Sequence, residues 1–97
     1  MAQFDLYRLS DGQIFVDLQT DLIGIEASRI VAPLRAAGRY AAFPGLTPIV
    51  EVDGGSWIVR VQELAAVPGA ELRNTVGSLT EYSEALKRAL DILIDGV

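Results

Sequence analysis

The side chains best suited to chemistry in this sequence are three carboxylates close together in the chain, Asp17, Asp21 and Glu26, because clustered hard oxygen donors can hold a divalent cation. The chain has no histidine and no Asp-x-Asp-x-Gly loop to set ligand geometry, so these groups read as loop and strand-end acids; neither a metal nor another cofactor is expected. Ser10, Ser28, Ser56, Thr47 and Thr80 carry hydroxyls but no histidine stands anywhere to serve as base, and Lys87, the only lysine, falls on the polar face of a helix. Catalysis lacks its activating group, and binding is the expected activity.

Two places could do the binding. Leu22 and Ile23 are large apolar residues in a loop bounded by Asp21 and Gly24, where no core pattern claims them. The second is the C-terminal end, where Asp91, Ile94, Asp95, Gly96 and Val97 close a helical pattern. The last turn of a helix carries partial negative charge, so each acid there costs about 0.3 to 1 kcal/mol when exposed. Two readings follow: an ordinary solvated helix end, with Asp91 paired to Lys87 or Arg88, or an acidic tip flanked by Ile94 and Val97 that receives an arginine-bearing partner segment.

Composition bounds the partners. With 8 basic against 13 acidic residues the net charge is −5 and the isoelectric point about 4.5, which argues against direct nucleic-acid binding and favours a basic partner. Hydrophobic residues make up 51% of the 97-residue chain and mean hydropathy is +0.32. That is more apolar material than one small core hides, so a homodimer is its natural outlet. Residues 1–97 are read as one domain. No apolar run approaches the roughly 20 residues needed to cross a bilayer, and the start lacks the basic-then-apolar order of a signal peptide. The cytoplasm is the expected compartment. Without cysteine, disulfides and thiolate chemistry are excluded.

The elements that must position these residues are mostly short strands. Gln3 to Tyr7 and Ile14 to Leu18 alternate around Ser10-Asp11-Gly12, which predicts a hairpin. Arg29 to Leu34 reads as a strand, with Pro33 implying a bulge or an edge. Arg35 to Tyr40 is ambiguous between strand and helical turn, and Phe43-Pro44-Gly45 signals a turn. A second hairpin flanks Asp53-Gly54-Gly55, with Pro48 to Val52 on one side and Ser56 to Val61 on the other. In it Trp57, Val59 and Val61 face the core, while Ile58, Arg60 and Gln62 form a mixed outer side. Val67-Pro68 can hold a cis bond, and Leu72 to Val76 is a further short strand. Ser78-Leu79-Thr80-Glu81 matches a capping box. Behind it Leu79, Tyr82, Leu86, Ala89, Leu90 and Leu93 form the apolar stripe of a helix, with Glu84, Arg88, Asp91 and Asp95 opposite and Ile92 and Ile94 on its shoulders.

Taken in order, Phe15-Val16-Asp17, Asp21-Leu22-Ile23, Arg29-Ile30-Val31-Ala32-Pro33-Leu34, Pro48-Ile49-Val50, Ser56-Trp57 and Leu64-Ala65-Ala66-Val67-Pro68 resemble the CcdB toxin family over nearly the whole chain. The departure is at the tip: the family ends in Trp-Gly-Ile, this chain in Asp95-Gly96-Val97. Its first hairpin loop is also shorter and less basic than the family's. The resemblance implies a mainly β fold: an SH3-like, partly open barrel or five-stranded antiparallel sheet, with a small second sheet, one C-terminal helix and a homodimeric assembly. It further implies the toxin of a type II toxin–antitoxin pair. Such a toxin binds the A subunit of DNA gyrase at the dimer tip, traps its cleaved-DNA complex, and is neutralised by the disordered tail of a CcdA-like antitoxin. The contacts that carry over by position are Leu22, Ile23, Asp91, Ile94, Asp95, Gly96 and Val97. Three alternatives stand beside this reading. One is a non-toxic module that keeps antitoxin recognition, and another is a toxin retargeted through the altered tip. The third is an endoribonuclease of the MazF type, which shares the fold, with Arg29, Arg60 or Arg73 as phosphate clamps.

Overall fold

In a computed structural model the chain is described over residues 2–20, 28–38 and 43–96. Seven antiparallel strands appear among them: β1 (Asp5–Arg8), β2 (Ile14–Asp17), β3 (Ser28–Ala36), β4 (Ile49–Val52), β5 (Gly55–Val59), β6 (Ala65–Pro68) and β7 (Thr75–Ser78). A single helix among the described residues, α1 (Ser83–Asp95), follows them. The strands form a five-stranded sheet in the order β7-β1-β2-β3-β6 and a smaller sheet β3-β5-β4. The expected half-barrel with a second sheet and one C-terminal helix is the fold observed.

Strand β3 belongs to both sheets and turns the corner between them. Residues 31–33 pair β2 along one edge, while on the other Ser28 to Val31 pair β6 and Leu34 to Ala36 pair β5. Pro33 is therefore in a central strand, not at an edge. Its carbonyl accepts the Arg60 N–H at 3.0 Å, and in a strand a residue's nitrogen points the same way as its carbonyl. The missing N–H thus falls where one partner strand gives way to the next, the place on that edge where a ladder donor is least needed.

The first hairpin forms as expected, with Leu6 opposite Val16. It begins later than its alternation suggests, because Phe4 takes a left-handed backbone (φ 71°) while buried, its N–H on Asp17 and its carbonyl receiving Leu79 N–H. For a bulky side chain that conformation is strained, and the packing around it must hold it. In the second hairpin the turn is two residues, Asp53 and Gly54, both at positive φ; Gly55 is already paired with Val52. Both central residues at positive φ match the right-handed twist of the flanking strands. The strand ends at Val59, and Val61 enters the core from a 3-10 turn, Val61–Glu63. Ile58 is buried too, so the expected mixed outer side of β5 is covered. The peptide bonds of the described residues, Val67-Pro68 included, are trans. The strand expected at Leu72 to Val76 is displaced to Thr75–Ser78, after a 3-10 turn at Gly69–Glu71.

The main core lies between the inner sheet face and α1, with Leu6, Val16, Ala32, Leu34, Val59 and Leu86 at its centre. A smaller cluster of Tyr7, Val31 and Leu72 covers the opposite face, which is why β1 carries two adjacent buried residues, Leu6 and Tyr7. The capping box does not start the helix. Ser78 Oγ instead accepts Thr80 N–H at 3.2 Å, a 3-10 turn occupies Thr80–Tyr82, and α1 begins at Ser83 without a side-chain cap. Tyr82 meanwhile covers the free edge of the small sheet: its hydroxyl accepts the N–H of Glu51 at 3.2 Å.

Candidate partner-binding site

The apolar stripe of α1 fixes which of its residues can meet a partner. Leu86 and Ala89 are fully buried, and Tyr82, Leu90 and Leu93 pack against the main core. Ile92, on one shoulder, lies against the turn at Phe43 to Leu46: a Cβ added to Gly45 would stand 2.7 Å from its Cδ1. That turn is closed by the Leu46 and Thr47 N–H groups on the Phe43 carbonyl, with Gly45 at φ 79°. With one shoulder pinned by the turn and the stripe by the core, Asp91, Ile94 and Asp95 are left outward. They are spaced i, i+3, i+4 and share one helix face.

Ile94 is the most exposed large hydrophobic residue among those described, at 74%. Asp91, Asp95 and Gly96 are exposed as well. Gly96 ends the helix in the left-handed conformation (φ 77°), its N–H on the Ile92 carbonyl at 2.9 Å. No basic residue stands in the last turn, and among the described residues Asp91 and Asp95 form no ion pair; Lys87 and Arg88 do not close on Asp91. The pairing that would have made this an ordinary helix end is absent there. The face offers two uncompensated carboxylates beside an aliphatic side chain, an arrangement suited to a guanidinium or ammonium group on an apolar stem.

Leu22, Ile23 and Val97 lie outside the described residues, as do Asp21 and Glu26. The strand ends that flank the first of these segments are described, and they are tightly held. Asp17, completely buried, and Arg29, 3% exposed, form an ion pair at 2.9 Å. The second Asp17 oxygen accepts Gln19 N–H at 3.0 Å, Arg29 donates to the Gln19 carbonyl at 3.1 Å, and Gln19 Oε1 accepts Ile30 N–H at 3.1 Å. Asp17 is thus a structural anion satisfied by Arg29. Arg29 in turn is committed to that buried pair. Arg60 and Arg35 both reach Glu63, at 3.3 and 3.5 Å, and Arg73 donates to the Ala70 carbonyl at 2.7 Å. Among the described residues the three arginines considered for RNA meet different partners: Asp17 and Gln19 for Arg29, Glu63 for Arg60 and Ala70 for Arg73.

The sequence reading missed Phe43 and Ile49, exposed by 50% and 58%. Phe43 falls in the expected turn and Ile49 in an expected strand and family-like motif, and nothing local in the sequence says that either faces outward.

Comparison with known proteins places the whole arrangement. A family model described as CcdB protein matches residues 3–96. The chain belongs to the CcdB family. Among solved structures it is similar to one described as an endoribonuclease from a mycobacterial species, at 14% identity with a TM-score of 0.79, covering 97% of this chain and 90% of that one. It is also similar to one described as an Mtb toxin, at 16% identity with a TM-score of 0.74, covering 93% and 99% respectively. At those identities the likeness is one of fold.

Proposed function

We propose that this CcdB-family protein is the toxin of a type II toxin–antitoxin pair, acting by binding rather than catalysis. Its target is the A subunit of DNA gyrase, its neutralising partner is the extended tail of a CcdA-like antitoxin, and it works as a cytoplasmic homodimer. The observation that carries the reading is the outward face of α1, where Asp91, Ile94 and Asp95 are exposed together at the end of an otherwise packed helix. The family match over residues 3–96 supplies the class of activity. Leu22, Ile23 and Val97 complete the contact set by position in the sequence.

The tip also sets the strength. Where the family carries tryptophan, Asp95 cannot stack on an arginine of the target; a buried aromatic anchor is worth about 2 kcal/mol or more, an exposed ion pair about 0 to 1. This chain is therefore a weak gyrase poison that keeps antitoxin recognition, because an extended tail spreads its contacts over a wide surface and one replacement is diluted. If gyrase binding is lost altogether, the remaining forms are a non-toxic antitoxin-binding module or a toxin directed at another arginine-bearing protein.

RNA cleavage is the competing activity, and the mycobacterial neighbour described as an endoribonuclease gives it standing. Against it weigh the net charge of −5 and the commitment of Arg29 to Asp17. Expression in gyrase-sensitive and gyrase-resistant cells, with and without the neighbouring antitoxin gene and with total RNA sequenced, separates the readings. Mild growth arrest relieved by resistant gyrase and by the antitoxin supports the proposal. Arrest indifferent to the gyrase allele, with new RNA ends, replaces it with an endoribonuclease.

A further inference from the structure

The turn before β4 leaves an aromatic ring outside the core. Phe43 is 50% exposed, and Pro44 and Gly45 beside it are exposed as well. The backbone that carries the ring is fixed: the Phe43 carbonyl accepts the Leu46 and Thr47 N–H groups at 2.9 and 3.0 Å, and the Phe43 N–H donates to the hydroxyl of the buried Thr47 at 2.7 Å. Gly45 in the same turn lies so close to α1 that an added Cβ would stand 2.7 Å from Ile92 Cδ1. An exposed ring is thus held on a rigid turn seated against the end of the helix.

Helix geometry says which side of the tip that turn adjoins. With 3.6 residues per turn, Asp95 lies about 60° around the helix from Ile92, Asp91 about 100° and Ile94 about 160°, all on the side away from Ala89 and Leu93. The acidic strip therefore runs between the exposed turn on one side and Ile94 on the other. The cations of the helix, Lys87 and Arg88, stand farther back along it; neither pairs with Asp91 or Asp95 among the described residues, and the last turn holds no basic residue. Carboxylates at the negative end of a helix dipole, on a chain of net charge −5, favour a cation supplied from outside. A neighbouring ring makes the shape of that cation matter. A guanidinium lies flat on an aromatic face while its edge N–H groups reach carboxylates, whereas an ammonium is a compact, strongly hydrated point charge.

We infer that the turn at Phe43 to Gly45 is the second wall of the helix-tip site and makes that site select arginine over lysine in a partner segment. Phe43 stacks on the guanidinium, Asp91 and Asp95 accept its N–H groups, and an aliphatic neighbour in the segment covers Ile94. Phe43 is then a specificity-determining residue of the tip. The inference rests on the tip being a binding face, and not on gyrase being the protein that binds there.

The test is a nuclear magnetic resonance titration of the full-length protein with three capped pentapeptides that differ only at the centre, between two leucines: arginine, lysine or the uncharged citrulline. The expected result is saturable shifts at the Phe43 ring, the Asp95 amide and the Ile94 methyls, with the arginine peptide bound about two- to fivefold tighter than the lysine one and the citrulline peptide weakest. Phe43→Leu, which keeps apolar bulk but removes the aromatic face, should erase the preference for arginine while leaving the lysine affinity unchanged. Asp91→Asn/Asp95→Asn should weaken both charged peptides alike. Phe43→Trp should hold or raise the preference, and it tests the inference even where the leucine variant loosens the turn. Absence of saturable shifts, equal affinity for arginine and lysine, a preference that survives Phe43→Leu with α1 amide protection intact, or one that vanishes in Phe43→Trp would each overturn the assignment. A gyrase fragment run beside the peptides keeps the two ideas apart: its failure to bind removes gyrase as the target, and selective arginine binding erased by Phe43→Leu upholds the second wall in either case.

Discussion

Asp17 and Asp95 are the same residue type in opposite circumstances. Asp17 is fully buried, with Arg29 on one oxygen and the Gln19 N–H on the other. Asp95 is exposed in the last turn of α1, at the negative end of the helix dipole, and pairs with no cation among the described residues. The first is costly to disturb because removing either partner leaves a buried charge unmatched. The second is mildly unfavourable where it stands, so stability does not explain it. A charge that helps the fold and one that the fold merely tolerates point to different pressures, and only the second is exposed at the surface.

The largest effect that would test this contrast is expected at the buried pair. Arg29→Met should lose about 3 to 5 kcal/mol in urea denaturation, while Asp17→Leu/Arg29→Met, which removes both charges, should recover a substantial part of it. A loss below about 1 kcal/mol for the single variant would mean that the pair is not the anchor described. Next in size is Gly45→Ala, which strains a positive-φ turn and drives a methyl into Ile92, the residue that seats the helix end. It should cost about 1 to 3 kcal/mol and loosen amide protection in the last turn of α1. Unchanged stability and protection would separate the tip from its supporting turn. At the tip itself Asp95→Asn should gain about 0.3 to 1 kcal/mol, read as a small rise in the denaturation midpoint at low salt that fades as salt is added. A clear loss there would show that Asp95 has a structural partner after all.

Part of this contrast was legible in the sequence. The apolar stripe of α1 and its outward acids follow from a 3.6-residue period, and Asp53-Gly54 announces its hairpin because both positions need positive φ. What the sequence did not disclose was anything set by pairing between distant strands. Asp17 and Arg29 are twelve residues apart, and only the β2–β3 register brings them together; taken singly, Asp17 reads as a strand-end acid and Arg29 as a phosphate clamp of the RNA-cleaving alternative. Pro33 suggested an edge because local rules cannot show that β3 changes partners at that point. The capping box at Ser78 misled for a related reason: its hydroxyl serves a 3-10 turn, and the helix starts only when Tyr82 has covered the edge of β4. The seat of the Phe43 turn against Ile92 depends on the same long-range assembly.

The smallest effect is silent at neutral pH. Tyr7 is buried, and burial first, then the charge of Asp5, raises the pKa of its phenol above the ordinary value of 10.0. A folded-state pKa above the unfolded one leaves stability intact below about pH 10 and removes it as pH rises through the folded value. The protein should therefore lose stability on the alkaline side, and Tyr7→Phe should flatten that limb in denaturation curves compared across pH. An unchanged slope in the variant would assign the alkaline limb to other groups.

The central claim is that one face of α1 is a protein-binding tip whose strength is set by Asp95. Calorimetry of the wild-type protein and of Asp95→Trp, each checked for the native fold, against a gyrase A-subunit fragment measures it most directly. The account predicts weak or undetectable binding by the wild type and a gain of about tenfold or more in the variant. Tight binding by the wild type, or no gain from the tryptophan, would contradict it.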